Sequence, residues 1–274
     1  MGRMRAFLLF AACGLAAAQT SKVRVALVNT PDDLLRELTP AFEQQGKYRV
    51  ELSYIGEDPW GEARKGEADL VIAHYGHVGT QAFLAEGMGL YPLMVFANQA
   101  VLVGPASDPA NVRGLPDVAE AFRRIAQSGS PFLVNNAGSE RYLEQTLWES
   151  AGRPEQGPWY MDMGLRDQPV VEAAARIGAY ALWGLAPFLR YLESVKPSGQ
   201  EVLVSADPIF QRVMVTVLTN PEKVAGINVE GATAFQKFLL LPATQARIRT
   251  FRYGGFDRQA WWPFGRHNSG MNVQ

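Results

Sequence analysis

The sequence predicts an α/β protein built as two lobes, and three features carry that expectation. Short apolar runs alternate with helical patterns from residue 22 onward, the order that gives a parallel sheet with crossover helices. Two long β-rich stretches, "YPLMVFANQAVLVGP" at 91–105 and "QEVLVSADPIFQRVMVTVLTNP" at 200–221, interrupt that order and carry polar residues in their middles. Between them lies a second α/β block, so the chain has two crossings by which to leave one lobe, build another and return.

The elements follow in order. "KVRVALVN" (22–29) is the first strand, and "TPDDLLRELTPAFEQQG" (30–46) is a helix with Leu34, Leu35, Leu38 and Phe42 on one face. "YRVELSYIG" is the second strand, "PWGEARKGEA" a short helix, "DLVIAH" the third strand and "VGTQAFLAEGMG" a helix closed by glycine. The middle block reads as helix 116–128, strand "PFLVNN", helices 139–151 and 168–177, strand "AYALW" and helix 186–193. A closing helical segment, "VEGATAFQKFLLLPATQARIRTF", is expected to pack on the first lobe. The boundaries drawn are 19–102 with 208–265 for the first lobe, 103–207 for the second, and a flexible tail at 266–274.

Composition bounds the function. With 274 residues there is enough chain for two domains and a sizeable core without metal or disulfide staples. A formal net charge of -1 leaves no lysine and arginine surplus for a phosphate-backbone footprint, which sets nucleic acid aside. The N-terminus places Arg3 and Arg5 before an apolar run from Ala6 to Ala18 that is too short to span a bilayer. It reads as a secretory signal, residues 1–18, cut near Ala18 and Gln19, so the mature chain is expected in the periplasm or outside the cell. The sole cysteine, Cys13, lies within that signal, in a "FAACG" run that loosely resembles a lipobox.

Several fragments, in order and at family spacing, resemble the tungstate-type substrate-binding components of ABC transporters, a branch of the periplasmic type II binding proteins. They are "LTPAFEQQGKYRVELSYIG", "RKGEADLVIAH", "AFLAEGMG", "QAVLVGPASDPANVRG", "AQSGSPFLV", "TLWESAGRPEQGPWY" and "GAYALW". The resemblance covers residues 22–265. It implies the two-lobe periplasmic binding protein type II fold, each lobe a mostly parallel sheet flanked by helices, joined by a two-strand hinge that closes on a ligand. It further implies a tungstate- or molybdate-like oxyanion ligand, an ABC permease as membrane partner, a monomer, and no cofactor. In such a fold several helix N-termini converge on the cleft, each with unpaired N–H groups and partial positive charge. The family places a threonine- and serine-rich turn after the first strand, and an arginine followed by Ser-Gly-Thr at the first long helix of the second lobe.

This sequence departs from that pattern at each turn. "VNTPDD" puts Thr30, Pro31 and Asp33 in an N-cap arrangement, so Asn29 and Thr30 either hold the ligand or Thr30 caps its own helix. After Gly56 the chain continues "EDPWGE", where Glu57 and Asp58 would repel an anion and Trp60 packs in the core or against a ligand. In "VNNAGSERY", Asn135 stands at about the place of the family arginine, Ser139 keeps the family serine, and Glu140 and Arg141 replace glycine and threonine. Two readings stand there: Ser139 caps its helix, or Asn135, Asn136 and the backbone at Gly138 and Ser139 donate into the cleft, with Arg141 or Tyr142 replacing the lost arginine. Trp183 falls at the cleft end of its strand, where it stacks on an organic ligand or packs in the core.

His74 ends the third strand, and the "HYGH" spacing of His74 and His77 lacks the further ligands a metal site needs; a hydrogen-bonding role at the cleft is expected for His74 instead. No nucleophile elbow, P-loop or dinucleotide fingerprint occurs, so binding rather than catalysis is expected. The expected ligand set is therefore Asn29, Thr30, Gly56, His74, Asn135, Asn136, Ser139, Arg141 and Trp183. The competing expectation is an envelope sensor or interaction protein on the same fold that has lost oxyanion binding.

Overall fold

A computed structural model describes residues 20–27, 32–53, 58–254, 256 and 258–265. The signal, Asn29, Thr30, Gly56, Glu57 and the tail lie outside these residues. Strands β1 (Ser21–Leu27), β2 (Tyr48–Ser53) and β3 (Leu70–His74) are parallel, with β1 in the centre. Their crossovers contain α1 (Asp32–Glu43) and α2 (Pro59–Lys65), and α3 (Val78–Ala85) follows β3. The apolar stripe on α1 is the reason it docks: Leu34, Leu35, Leu38 and Phe42 are all buried.

The next strand, β4 (Leu93–Pro105), is long because it serves both parts of the molecule. Its first half pairs antiparallel with β9 (Gln211–Leu218), as far as Gln99 opposite Gln211. From Ala100 onward its partners are β7 (Ala181–Gly184) and β8 (Gln200–Val204), again antiparallel. The change of partner at Gln99 and Ala100 marks the hinge. β8 and β9 are separate strands because Asp207 and Pro208 open a short 3-10 turn, Pro208–Phe210, where Asp207 accepts the Ile209 N–H at 3.0 Å.

The block between the crossings holds α4 (Val118–Ser128), β5 (Phe132–Leu133), α5 (Gly138–Ser150), β6 (Tyr160–Met161), α6 (Gln168–Ile177) and α7 (Leu185–Ser194). β5 and β6 form a small parallel pair that the apolar pattern alone does not disclose for β6. An aromatic cluster fills this block, with Phe122 and Trp148 ring centres 4.3 Å apart and Phe132 against both. The closing helical segment is two helices, α8 (Val229–Leu240) and α9 (Pro242–Thr250), because Pro242 cannot continue α8 and instead opens α9. A last short strand, β10 (Trp262–Pro263), adds to the edge of β4, where the sequence gives no strand signal.

Candidate functional site

The hinge ribbon, the end of β3 and the start of α5 meet at one place. In an antiparallel ribbon, residues directly opposite each other point to the same face and their neighbours to the other. Asn98 of β4 lies opposite Arg212 of β9. His74, the last residue of β3, lies opposite Met214, two residues further along β9. Arg212 reaches α5 and donates from Nη2 to the carbonyl of Ser139 at 3.2 Å, which places this face of the ribbon against the opening turn of α5.

Every α-helix begins with backbone N–H groups that lack partners within the helix. Beside β1–β3, side chains close these starts: Asp58 accepts from Gly61 N at 2.8 Å at α2, and His77 Nδ1 accepts from Gly79 N at 3.0 Å at α3. Three starts in the middle block differ. Ala137 before α5, Asp167 before α6 and Gly184 before α7 provide no side-chain cap. At α5 a Cβ placed on Gly138 would meet nothing within 4 Å, so the opening turn faces open space. Among the described residues the acid within this opening turn is Glu140, whose carboxylate turns back on its own N–H and accepts from Ser139 Oγ at 2.5 Å.

Three polar groups on this face have capacity to spare. The Arg212 guanidinium has five N–H donors, yet its bond to Ser139 is the one hydrogen bond it makes among the described residues, and no carboxylate pairs with it there. Burial lowers its pKa, and the charge of Glu140 partly offsets this. Asn98 is 8% exposed, and its Oδ1 is buried without a partner. His74 Nδ1 is likewise buried without a partner, and burial together with the nearby Arg212 and His77 lowers its pKa to about 3. His74 therefore stays neutral at physiological pH and can donate one N–H. Native proteins rarely leave such atoms unsatisfied, and the spare donors of Arg212, an N–H of His74 and the uncapped N–H groups of α5 are suited to receive an anion.

The residues singled out in the sequence divide between this cluster and the scaffold. His74 and Ser139 are in the cluster. Asn135, 2% exposed, is spent on the scaffold: its Nδ2 donates to Leu182 O at 3.0 Å, and its Oδ1 accepts from Ala137 N at 3.1 Å and Asp167 N at 3.0 Å. Those bonds hold the starts of α5 and α6 beside β7. Asn136 donates to Asp162 at 2.8 Å, on the loop after β6. Arg141 turns away from the hinge to Glu144 at 3.2 Å and the Tyr160 hydroxyl at 2.9 Å. Trp183 is buried edge-on against Phe188 and Tyr191, as the packing alternative has it.

The acids that argue against an anion are largely accounted for. Asp33 pairs with Arg190 of α7 at 2.8 Å, and Asp58 is occupied as the α2 cap. Trp60 packs against Phe83 in the core. Among the described residues no three His, Cys, Asp or Glu side chains gather to hold a metal ion. A cavity of about 610 Å³ lies on the opposite face of the ribbon, lined by Gln99, Gln211, Arg258 and Trp262 among others, and none of its lining side chains is buried without a partner. Arg212 is the residue that sequence reasoning missed.

A shared β4, a change of partner at the hinge and a face of unspent polar groups define a two-lobe ligand-binding protein. Comparison with known proteins narrows the class. No protein-family model matches the chain. A Haloferax volcanii protein named as an ABC transporter anion-binding protein is 30% identical over 227 residues, which is 81% of this chain and 66% of that protein. The tungstate-binding protein TupA of Peptoclostridium acidaminophilum is 28% identical over 248 residues, 86% of this chain and 84% of that one. The chain thus spans just under two thirds of the first relative and most of the second. The solved structure of the tungstate-binding protein TupA from Desulfovibrio alaskensis superposes with a TM-score of 0.78 at 24% identity, covering 90% of this chain and all of that one, which shows a shared fold. The chain is similar to the anion- and tungstate-binding components of ABC transporters and shares the two-lobe type II fold of the solved one.

Proposed function

We propose that the mature chain, from Gln19, is an exported monomeric receptor that captures a tungstate- or molybdate-like oxyanion between its lobes and presents it to an ABC permease. The observation that carries this reading is Arg212: a desolvated guanidinium with unspent donors, on the hinge, against the open start of α5. A cation held in that state is costly unless an anion completes it. The unpaired N–H groups of α5 and neutral His74 supply further donors without further charge. The relatives named for anion and tungstate binding support the same ligand class.

Asn29, Thr30 and Gly56, expected from the sequence to hold the ligand, lie outside the described residues and stay in the proposed ligand set alongside His74, Ser139 and Arg212. Closure about Gln99 and Ala100 brings the two lobes together on the ligand, and the closed shape is what the permease reads. A thermal-shift scan of the chain from Gln19 against tungstate, molybdate, sulfate and phosphate tests the proposal. Ligand at about a hundred times its dissociation constant adds ~2.7 kcal/mol and raises the melting temperature visibly. No shift with any oxyanion would overturn it.

A further inference from the structure

Glu140 stands in the opening turn of α5, beside the proposed anion site and within charge range of Arg212. Its carboxylate lies on its own backbone N–H, takes the Ser139 hydroxyl at 2.5 Å, and faces Arg212 without forming an ion pair with it. Among the described residues the charged groups acting on it are Arg212 from β9 and Asp167 from the start of α6, with neutral His74 of β3 beside Arg212. A bare dianion entering this cluster would meet a second negative charge at close range in a poorly solvated setting. An oxyanion that keeps one O–H would instead donate that proton to Glu140 while its remaining oxygens accept from Arg212, His74 and the α5 N–H groups.

We propose that Glu140 makes this a site for an oxyanion carrying one proton, of the hydrogenphosphate or hydrogenarsenate class, and that a bare dianion such as tungstate or molybdate enters only with uptake of one proton by Glu140. The inference rests on the oxyanion-receptor reading above and specifies its ligand. The proton count is the same in both cases: one proton lies between Glu140 and the ligand oxygen, supplied by the ligand in the first case and by solvent in the second. Burial, which pushes the Glu140 carboxyl above the usual carboxylate range, favours the protonated form that the second case needs, whereas Arg212 acts in the opposite direction.

The experiment compares the chain from Gln19 with Glu140→Gln, titrating phosphate, arsenate, tungstate, molybdate and sulfate by calorimetry in buffers of different ionisation enthalpy. For the unsubstituted protein, tungstate binding takes up about one proton and weakens about tenfold per pH unit once Glu140 is ionised in the free protein. In Glu140→Gln the amide donates to the bare dianion, proton uptake disappears, and the ratio of phosphate to tungstate affinity falls by at least about tenfold. Tungstate binding without proton uptake and an unchanged ratio in the variant would overturn this inference and leave the receptor reading intact. Tighter tungstate binding by the variant with no proton uptake by the parent would also overturn it, because Glu140 would then be displaced rather than protonated. Failure of both proteins to bind any of the five oxyanions would overturn both readings.

Discussion

The two sides of helix α5 handle polar side chains in opposite ways. On the side away from the hinge, Glu144 is 1% exposed and fully engaged, by Trp148 Nε1 at 3.1 Å, the Tyr160 hydroxyl at 2.6 Å and Arg141 at 3.2 Å. Burial raises the Glu144 pKa against those donors and pushes the Tyr160 hydroxyl up to about 12. On the hinge side, Asn98 is buried and Arg212 and His74 are half-buried, all left with donors or acceptors to spare. A closed network of this kind holds a fold in one arrangement; an open one is stable at the fold's expense and is completed by something else. The same helix thus carries an arginine engaged in structure, Arg141, and faces the arginine proposed for the ligand, Arg212.

Breaking the closed side should cost stability and spare binding. Glu144→Ala leaves Arg141, Trp148 and Tyr160 without their acceptor and should destabilise the protein by ~3 kcal/mol in urea unfolding, with the oxyanion affinity of the folded protein unchanged. A loss of affinity comparable to the loss of stability would mean that the two sides are not separate. Asn135→Ala tests the frame between them: it removes bonds to Leu182, Ala137 and Asp167 and should cost ~2 kcal/mol. Because Asn135 holds the α5 and α6 starts in place, a moderate loss of affinity should accompany that cost.

The open side has its own pH signature. The folded-state pKa of His74, about 3, lies below its unfolded value, so as pH falls below about 6.5 the unfolded chain gains a proton that the native state refuses. Stability should therefore be undiminished above that pH and fall by at most ~1.4 kcal/mol per pH unit below it, with the loss ending near the folded value. His74→Gln should flatten that slope over the range from pH 6.5 to about 5. An identical slope in the variant would show that His74 is charged in the native state. The smallest effect is expected at Arg190 and Asp33, a half-exposed pair whose double-mutant coupling should be ~1 kcal/mol or less and decline with salt.

Much of the architecture was legible from periodicity. The α1 stripe, the alternation of strands and helices and the two crossings all follow from patterns of period 3.6 and 2 that burial enforces. Pro242 could have signalled the break between α8 and α9, whereas β6 and β10 are two-residue pairings set by neighbours and leave almost no pattern. The opening of α5 was also legible, through Ser139 and the paired asparagines. What the sequence could not convey was which side chains there were already engaged. Asn135 reads as a free amide until its bonds to Leu182, Ala137 and Asp167 are seen. Arg141 attracts attention by standing two residues from Ser139, yet helix geometry turns it to Glu144. Arg212 stands 73 residues from Ser139 and reaches it only because β9 pairs with β4 in the register that sets Asn98 opposite it.

The two arginines offer the most direct measurement. Isothermal titration of tungstate and phosphate into the chain from Gln19, Arg212→Met and Arg141→Met, with melting temperatures recorded alongside, separates ligand from scaffold in one experiment. Arg212→Met should lose at least about a hundredfold in affinity for the oxyanion that binds, with its melting temperature unchanged or higher, because a half-buried charge without a counter-ion among the described residues is replaced by an apolar side chain. Arg141→Met should lower the melting temperature and leave the affinity within about threefold. Oxyanion binding that survives Arg212→Met and is lost with Arg141→Met would contradict the assignment of the site to the hinge face of α5.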